Sequence, residues 1–171
     1  MPDRSLSPRL VFTAAVLVSA KLWRRAATAE DLVLWLTPTD TVVGLSTGSH
    51  GVWLEGRGYL HADLRILIGA ECAGFTFFLV AYLMFALFRP QRSRLAVHQL
   101  TALLLAWPLT VAANAARILC LLTLTRFGFT AHLHGLPHEA VGGAIYLTVL
   151  LLAALLMRVG DRLNPLSLEI S

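Results

Sequence analysis

The sequence predicts an all-α integral membrane protein, with about four transmembrane helices and a structured external loop. Three observations carry that prediction. Of 171 residues, 57% are hydrophobic and only 14% charged, against about 25% charged in an average soluble domain. The mean hydropathy is +0.69. The apolar residues fall into runs of membrane-crossing length, and the basic residues cluster at the ends of those runs. That last pattern accounts for the net charge of +4. Cations placed so anchor helices and set orientation, and they leave no basic stripe for nucleic acid. No linker, repeat or low-complexity tract divides the chain, so residues 1–171 form a single domain. The two cysteines lie on separate apolar segments and make no disulfide framework.

The first predicted span covers about residues 10–23. Arg4 and Arg9 precede it and Val18-Ser19-Ala20 lie near its end, a pattern open to a cleavable signal peptide or to a signal anchor. Trp23 at the boundary, where aromatic belts form, favours the anchor. Residues 24–64 follow as an external loop. Glu30 to Leu36 reads as a short amphipathic helix ending before Pro38 and lying on the membrane surface. Residues 37–41 are too polar to cross lipid. Residues 52–55 and 64–68 flank Gly56-Arg57-Gly58 and suggest a small β-hairpin. A loop of this length with structure of its own points to function.

The remaining spans are predicted at about residues 69–88, 95–117 and 138–157. Arg89, Arg92 and Arg94 fill the turn after the second span, and Arg158 and Arg162 close the last. Pro108 marks a kink in the third. Basic turns belong inside, which puts both termini in the cytoplasm and the long loop outside. Lys21, Arg24 and Arg25 then face outward, against the usual bias.

Measured from these basic ends, Cys72, Arg117 and His138 lie about 17, 23 and 20 residues along their segments. At about 1.5 Å per residue these are roughly 25, 34 and 30 Å, against a hydrocarbon core of about 30 Å. All three side chains therefore reach one outer boundary. A nucleophile, a fixed cation and a base at one depth make a candidate catalytic set.

Each residue also has a plainer reading. Cys72 begins its helix, where the dipole favours a thiolate, yet free cysteine is often a small buried apolar residue. Cys120 lies mid-run among leucines and is read as structural. Arg117 costs about 2.5–3.5 kcal/mol at a helix centre. It either snorkels to headgroups or, with Asn114 three residues earlier and four alanines around it, faces protein. His138 follows Pro137, which suits a first helical turn. Glu139 adjoins it, and Gly142-Gly143 permits close helix approach. With His132 and His134 it forms H-x-H-x3-H, which invites a metal, but no cysteine or carboxylate pair joins at ligand spacing. No metal and no cofactor are expected.

Glu71-Cys72-Ala73-Gly74, Asn114-Ala115-Ala116-Arg117 and His138-Glu139-Ala140-Val141-Gly142 together resemble the exosortase/archaeosortase family. Its members carry Cys-[Ser/Ala]-Gly, Asn-x-x-Arg and His-x-x-x-Gly in that order on membrane helices. Lys21-Leu22-Trp23, Trp35-Leu36-Thr37-Pro38, Thr47-Gly48 and Gly58-Tyr59 are similar to the compact exosortase K-like subgroup, so the resemblance covers about residues 20–158. Two features depart from the pattern. Many exosortases have further helices, and Phe75-Thr76-Phe77 stands where Val/Ile-Asn-Phe is common.

The resemblance implies a membrane cysteine peptidase or transpeptidase. Such enzymes act on exported proteins that end in a short motif, a transmembrane helix and a basic tail. Cys72 would be the nucleophile, Arg117 the charge stabiliser and His138 the acid/base, with Asn114, Gly74, Glu139 and Gly142 in support. It further implies a prokaryotic cytoplasmic (inner) membrane, with the site facing outward. Two other functions fit the same residues. One is a metal- or haem-binding membrane or transport subunit using His132, His134 and His138. The other is a non-catalytic structural component of an export complex.

Overall fold

The computed structural model describes residues 8–88, 94–127 and 136–163, apart from the side chains of 136–139 and 161–163. The apolar runs dictate its frame. Three helices are long and apolar enough to cross a membrane, over Ala70–Phe88, Leu95–Arg126 and Ala140–Gly160. The first consists of a 3-10 turn, Ala70–Ala73, followed by α3, Phe75–Phe88. The second is α4, Leu95–Arg126, with Pro108 inside it. The third lies within α5, Leu136–Leu163. At 32 residues, α4 is roughly 48 Å long, so it outruns a hydrocarbon core by several turns. The basic turn at Arg89 and Arg92 lies outside the described residues.

The first apolar run forms α1, Pro8–Ala26, which is not among the helices apolar enough to span. Its charge explains why: Arg9, Lys21, Arg24 and Arg25 all fall within its 19 residues. It runs antiparallel to α3 and is tied at both ends. Arg9 Nε donates to Ala86 O at 2.5 Å, and Arg24 Nη2 donates to Ala70 O at 3.0 Å. One turn in from the Arg9 tie, buried Gln99 of α4 joins the two. It donates to Thr13 Oγ1 at 3.2 Å and accepts from Tyr82 OH at 2.7 Å. Buried polar groups at helix contacts persist only when paired in this way.

The loop departs from expectation in two places. The short helix ending before Pro38 is instead α2, Val33–Thr47, with the proline inside it. Proline leaves the carbonyl four residues earlier without its helical partner. Here that carbonyl, Leu34 O, accepts from Trp107 Nε1 of α4 at 3.3 Å. The polar run 37–41 is absorbed locally. Thr39 and Thr41 donate back to Trp35 O and Thr37 O, and Thr37 Oγ1 meets Tyr59 OH at 2.8 Å. Leu36, Thr39 and Val43 are buried, at the spacing of one helical face packed inward.

The expected hairpin is a three-stranded antiparallel sheet in the order β1 (Val52–Leu54), β2 (Gly58–His61), β3 (Ile66–Ile68). The flanking segments 52–54 and 66–68 do not pair with each other. Both pair with β2, in the registers Trp53↔Tyr59 and Leu60↔Leu67. Gly56, at φ 72°, makes the tight turn into β2, so the chain reverses before reaching residue 64.

A buried polar chain fastens this sheet to α2. His61, with no exposed surface, places Nε2 at 2.7 Å from Asp40 Oδ1 and Nδ1 at 2.7 Å from Ser49 Oγ. Ser49 also donates to Asp63 Oδ1 at 2.5 Å. That bond, helped by the nearby imidazole, holds the exposed Asp63 carboxyl below the usual aspartate range.

Candidate active site

Cys72 does not occupy the first turn of a long helix, as the sequence suggests. It lies in the four-residue 3-10 turn that precedes α3, closed by Cys72 N donating to Gly69 O at 2.8 Å. Gly74 then breaks the helical path with φ 65°, ψ 19°, a left-handed conformation that β-carbon sterics disfavour. α3 starts afresh beyond it, with Phe78 N donating to Gly74 O at 2.9 Å. The dipole of α3 therefore begins after the cysteine. A β-carbon at Gly74 would also lie 3.1 Å from Thr110 Cγ2 and 3.5 Å from Asn114 Cβ. The motif glycine both turns the chain and lets the cysteine turn approach α4.

Cys72 is half-buried and free, with Sγ 3.9 Å from Leu67 O. Its carbonyl accepts a hydrogen bond from Asn114 Nδ2. Asn114 is fully buried on α4, and its side-chain oxygen accepts from Tyr146 OH of α5 at 3.1 Å. The same phenol oxygen accepts from Arg117 Nη1 at 3.4 Å. The guanidinium carbon stands 5.7 Å from the Tyr146 ring centroid, and Phe77 packs against that ring at 4.7 Å. Asn114 and Arg117 are thus linked through Tyr146.

Arg117 also defines the approach of α5. A β-carbon at Gly142 would fall 2.7 Å from Arg117 Nε, whereas one at Gly143 would meet nothing within 4 Å. Gly142 is the residue against which the guanidinium rests. Arg117 Nε is buried with no hydrogen-bond partner among the described residues. A neighbouring cleft of about 240 Å3 is lined by Arg117, Tyr146, Glu71, Gly74, Thr76 and Arg24, among others. Its wall includes residues on either side of Cys72. An arginine with a buried unsatisfied donor beside a polar cleft is suited to stabilising charge that develops on a bound group.

The backbone of His138 lies in the first turn of α5, one helical turn before Gly142. Its side chain and that of Glu139 lie outside the described residues, as do His132 and His134 entirely. Among the described residues no group of three or more His, Cys, Asp or Glu could hold a metal ion. Cys120 is half-buried and free on α4, three residues beyond Arg117.

The structure thus joins Cys72, Gly74, Asn114, Arg117 and Gly142 through side-chain or close backbone contact. Tyr146 is the member that sequence reasoning missed. Its signal was present: His138, Gly142 and Tyr146 recur at intervals of four, which places them on one helical face. No protein-family profile, curated protein or solved structure matches the chain.

Proposed function

We propose that the chain is a membrane-embedded cysteine peptidase or transpeptidase of exosortase type. It cleaves C-terminal sorting signals from exported proteins through a thioester. One observation carries the reading: Asn114 and Tyr146 tie the cysteine turn, the arginine and the glycine face of α5 into a single hydrogen-bonded set. Those are the three sequence motifs that resemble the family.

In the proposed reaction the Cys72 thiolate attacks the scissile carbonyl, and Arg117 stabilises the developing oxyanion. The C–N bond breaks as His138 protonates the leaving amine, which departs with the target's tail helix. Water or an acceptor amine then gives up a proton to His138 and attacks the thioester; the C–S bond breaks and the Cys72 thiolate is regenerated.

The proposed topology has four spans in a prokaryotic cytoplasmic (inner) membrane, with the site at the outer boundary. The antiparallel course of α1 along the whole of α3 supports the fourth span, despite its charge. The target's tail helix lies beside these spans in the same bilayer.

The test compares the C-termini of envelope proteins, by peptide mass spectrometry, in cells carrying wild-type or Cys72→Ala protein. A few exported proteins should keep their apolar tail only in the variant. Unchanged C-termini, with tail-bearing proteins expressed, overturn the proposal.

A further inference from the structure

Between α1 and α3 runs a groove that meets the candidate-site cleft only at its cationic end, where Arg24, Phe75 and Thr76 line both. One part, about 370 Å3, is walled by Leu17, Val80 and Leu83 and ends among Lys21, Arg24 and Arg25. A second part, about 300 Å3, shares Leu17 and Leu83 and continues to Leu10 and Leu87. The second is almost wholly apolar, and no acidic residue lines either part. From Lys21 back to Leu10 the groove follows α1 for roughly 16 Å. Leu10 and Leu87 lie near the ends of α1 and α3 opposite the cations.

Among the described residues no acidic side chain lines the cationic end, and Glu71 lies in the adjoining cleft beside Arg24. Lys21 and Arg25 are exposed, with no hydrogen-bond or ion-pair partner among the described residues. Arg24 has one donor on Ala70 O, and Thr76 adds an exposed hydroxyl at the same place. Three cations within five residues repel one another unless an anion lies between them. In the proposed topology they also sit on the outer face, where positive-inside bias gives them no role.

We infer that this groove seats one anionic phospholipid. Its phosphate-bearing headgroup lies among Lys21, Arg24 and Arg25, and an acyl chain runs along the α1–α3 groove. The cations at one end and the apolar walls beyond them favour this occupant. The inference needs the membrane placement of α3 and does not depend on catalysis by Cys72.

Native mass spectrometry of the full chain tests it, with detergent micelles supplemented by either dioleoyl phosphatidylglycerol or dioleoyl phosphatidylcholine. The wild type should retain one phosphatidylglycerol in preference to phosphatidylcholine. The double variant Lys21→Gln, Arg25→Gln should lose about tenfold of that preference, since each surface cation contributes severalfold to holding an anionic lipid. Val80→Trp, which fills the groove and spares the cations, should lower retention of both lipids. Equal retention of the two lipids by the wild type overturns the inference. So does phosphatidylglycerol retention that both variants leave unchanged.

Discussion

Asn114 donates its side-chain amide to the carbonyl oxygen of Cys72, forty-two residues earlier in the chain. The asparagine is fully buried, so this bond forms away from competing water. Asn114→Asp keeps the volume and replaces the donor with an oxygen facing another oxygen. An unmet buried acceptor costs about 1–3 kcal/mol, and the cysteine turn should shift away from α4. Tail cleavage by the purified variant in vesicles should slow by about tenfold or more. A rate near wild type would show that the bond does not position the thiol.

Tyr146 serves both neighbours through one oxygen. Tyr146→Phe keeps the ring over the guanidinium and against Phe77 but loses both hydrogen bonds. At about 0.5–1.5 kcal/mol for a hydrogen bond, cleavage should fall by about three- to tenfold. Tyr146→Leu should fall further, because the cation–π contact goes as well. If Tyr146→Phe and Tyr146→Leu have the same rate, the ring contributes nothing to holding Arg117.

Adjacent glycines provide an internal control. Gly142→Ala puts a methyl 2.7 Å from Arg117 Nε, and Gly143→Ala puts one in open space. The first should displace the guanidinium or part α5 from α4 and remove most activity. The second should be silent, and slightly favourable to the helix. Measured cleavage rates that respond equally to the two alanines would contradict the contact.

Acid should loosen the contact between the sheet and α2 through Asp63. The Ser49 hydrogen bond, with the His61 imidazole assisting, depresses the folded-state pKa of Asp63. Its contribution to stability is therefore complete above the ordinary aspartate value of about 4. It is lost as pH falls through the depressed value. Glu30 and Asp31 are depressed as well and add the same sign, so the difference between proteins is the informative quantity. Ser49→Ala should lower the thermal midpoint at neutral pH and lose less of it on acidification than wild type does. Parallel pH profiles for the two proteins would assign the acid sensitivity elsewhere.

The three apolar helices were legible because hydropathy and terminal arginines are local properties, read from consecutive residues. What the sequence hid depends on distant partners. Pro38 marks the end of a helix unless something accepts its burden, and Trp107, which does, lies 73 residues from Leu34. Gly58 to His61 is too short and too mixed to stand out as a strand, yet it is the middle strand because β1 and β3 both need it. In the candidate site, counting helical rise aligned Cys72, Arg117 and His138 in depth, and the side chain of His138 lies outside the described residues. The spacing of four placed Tyr146 on the face of His138 and Gly142, but its bonds to Asn114 and Arg117 depend on how α5 packs against α4. Gly74 was visible as a motif letter, whereas its left-handed backbone and the break it makes before α3 were not.

That break changes which part of the protein Cys72 moves with. In sequence the cysteine belongs to α3, but its carbonyl is bound to α4 and a left-handed glycine separates it from the helix that follows. Gly74 ends one backbone course and Asn114 holds the residue before that break. The cysteine turn therefore takes its position from α4, the helix that also carries Arg117, and the depth of the thiol follows that helix rather than the start of α3.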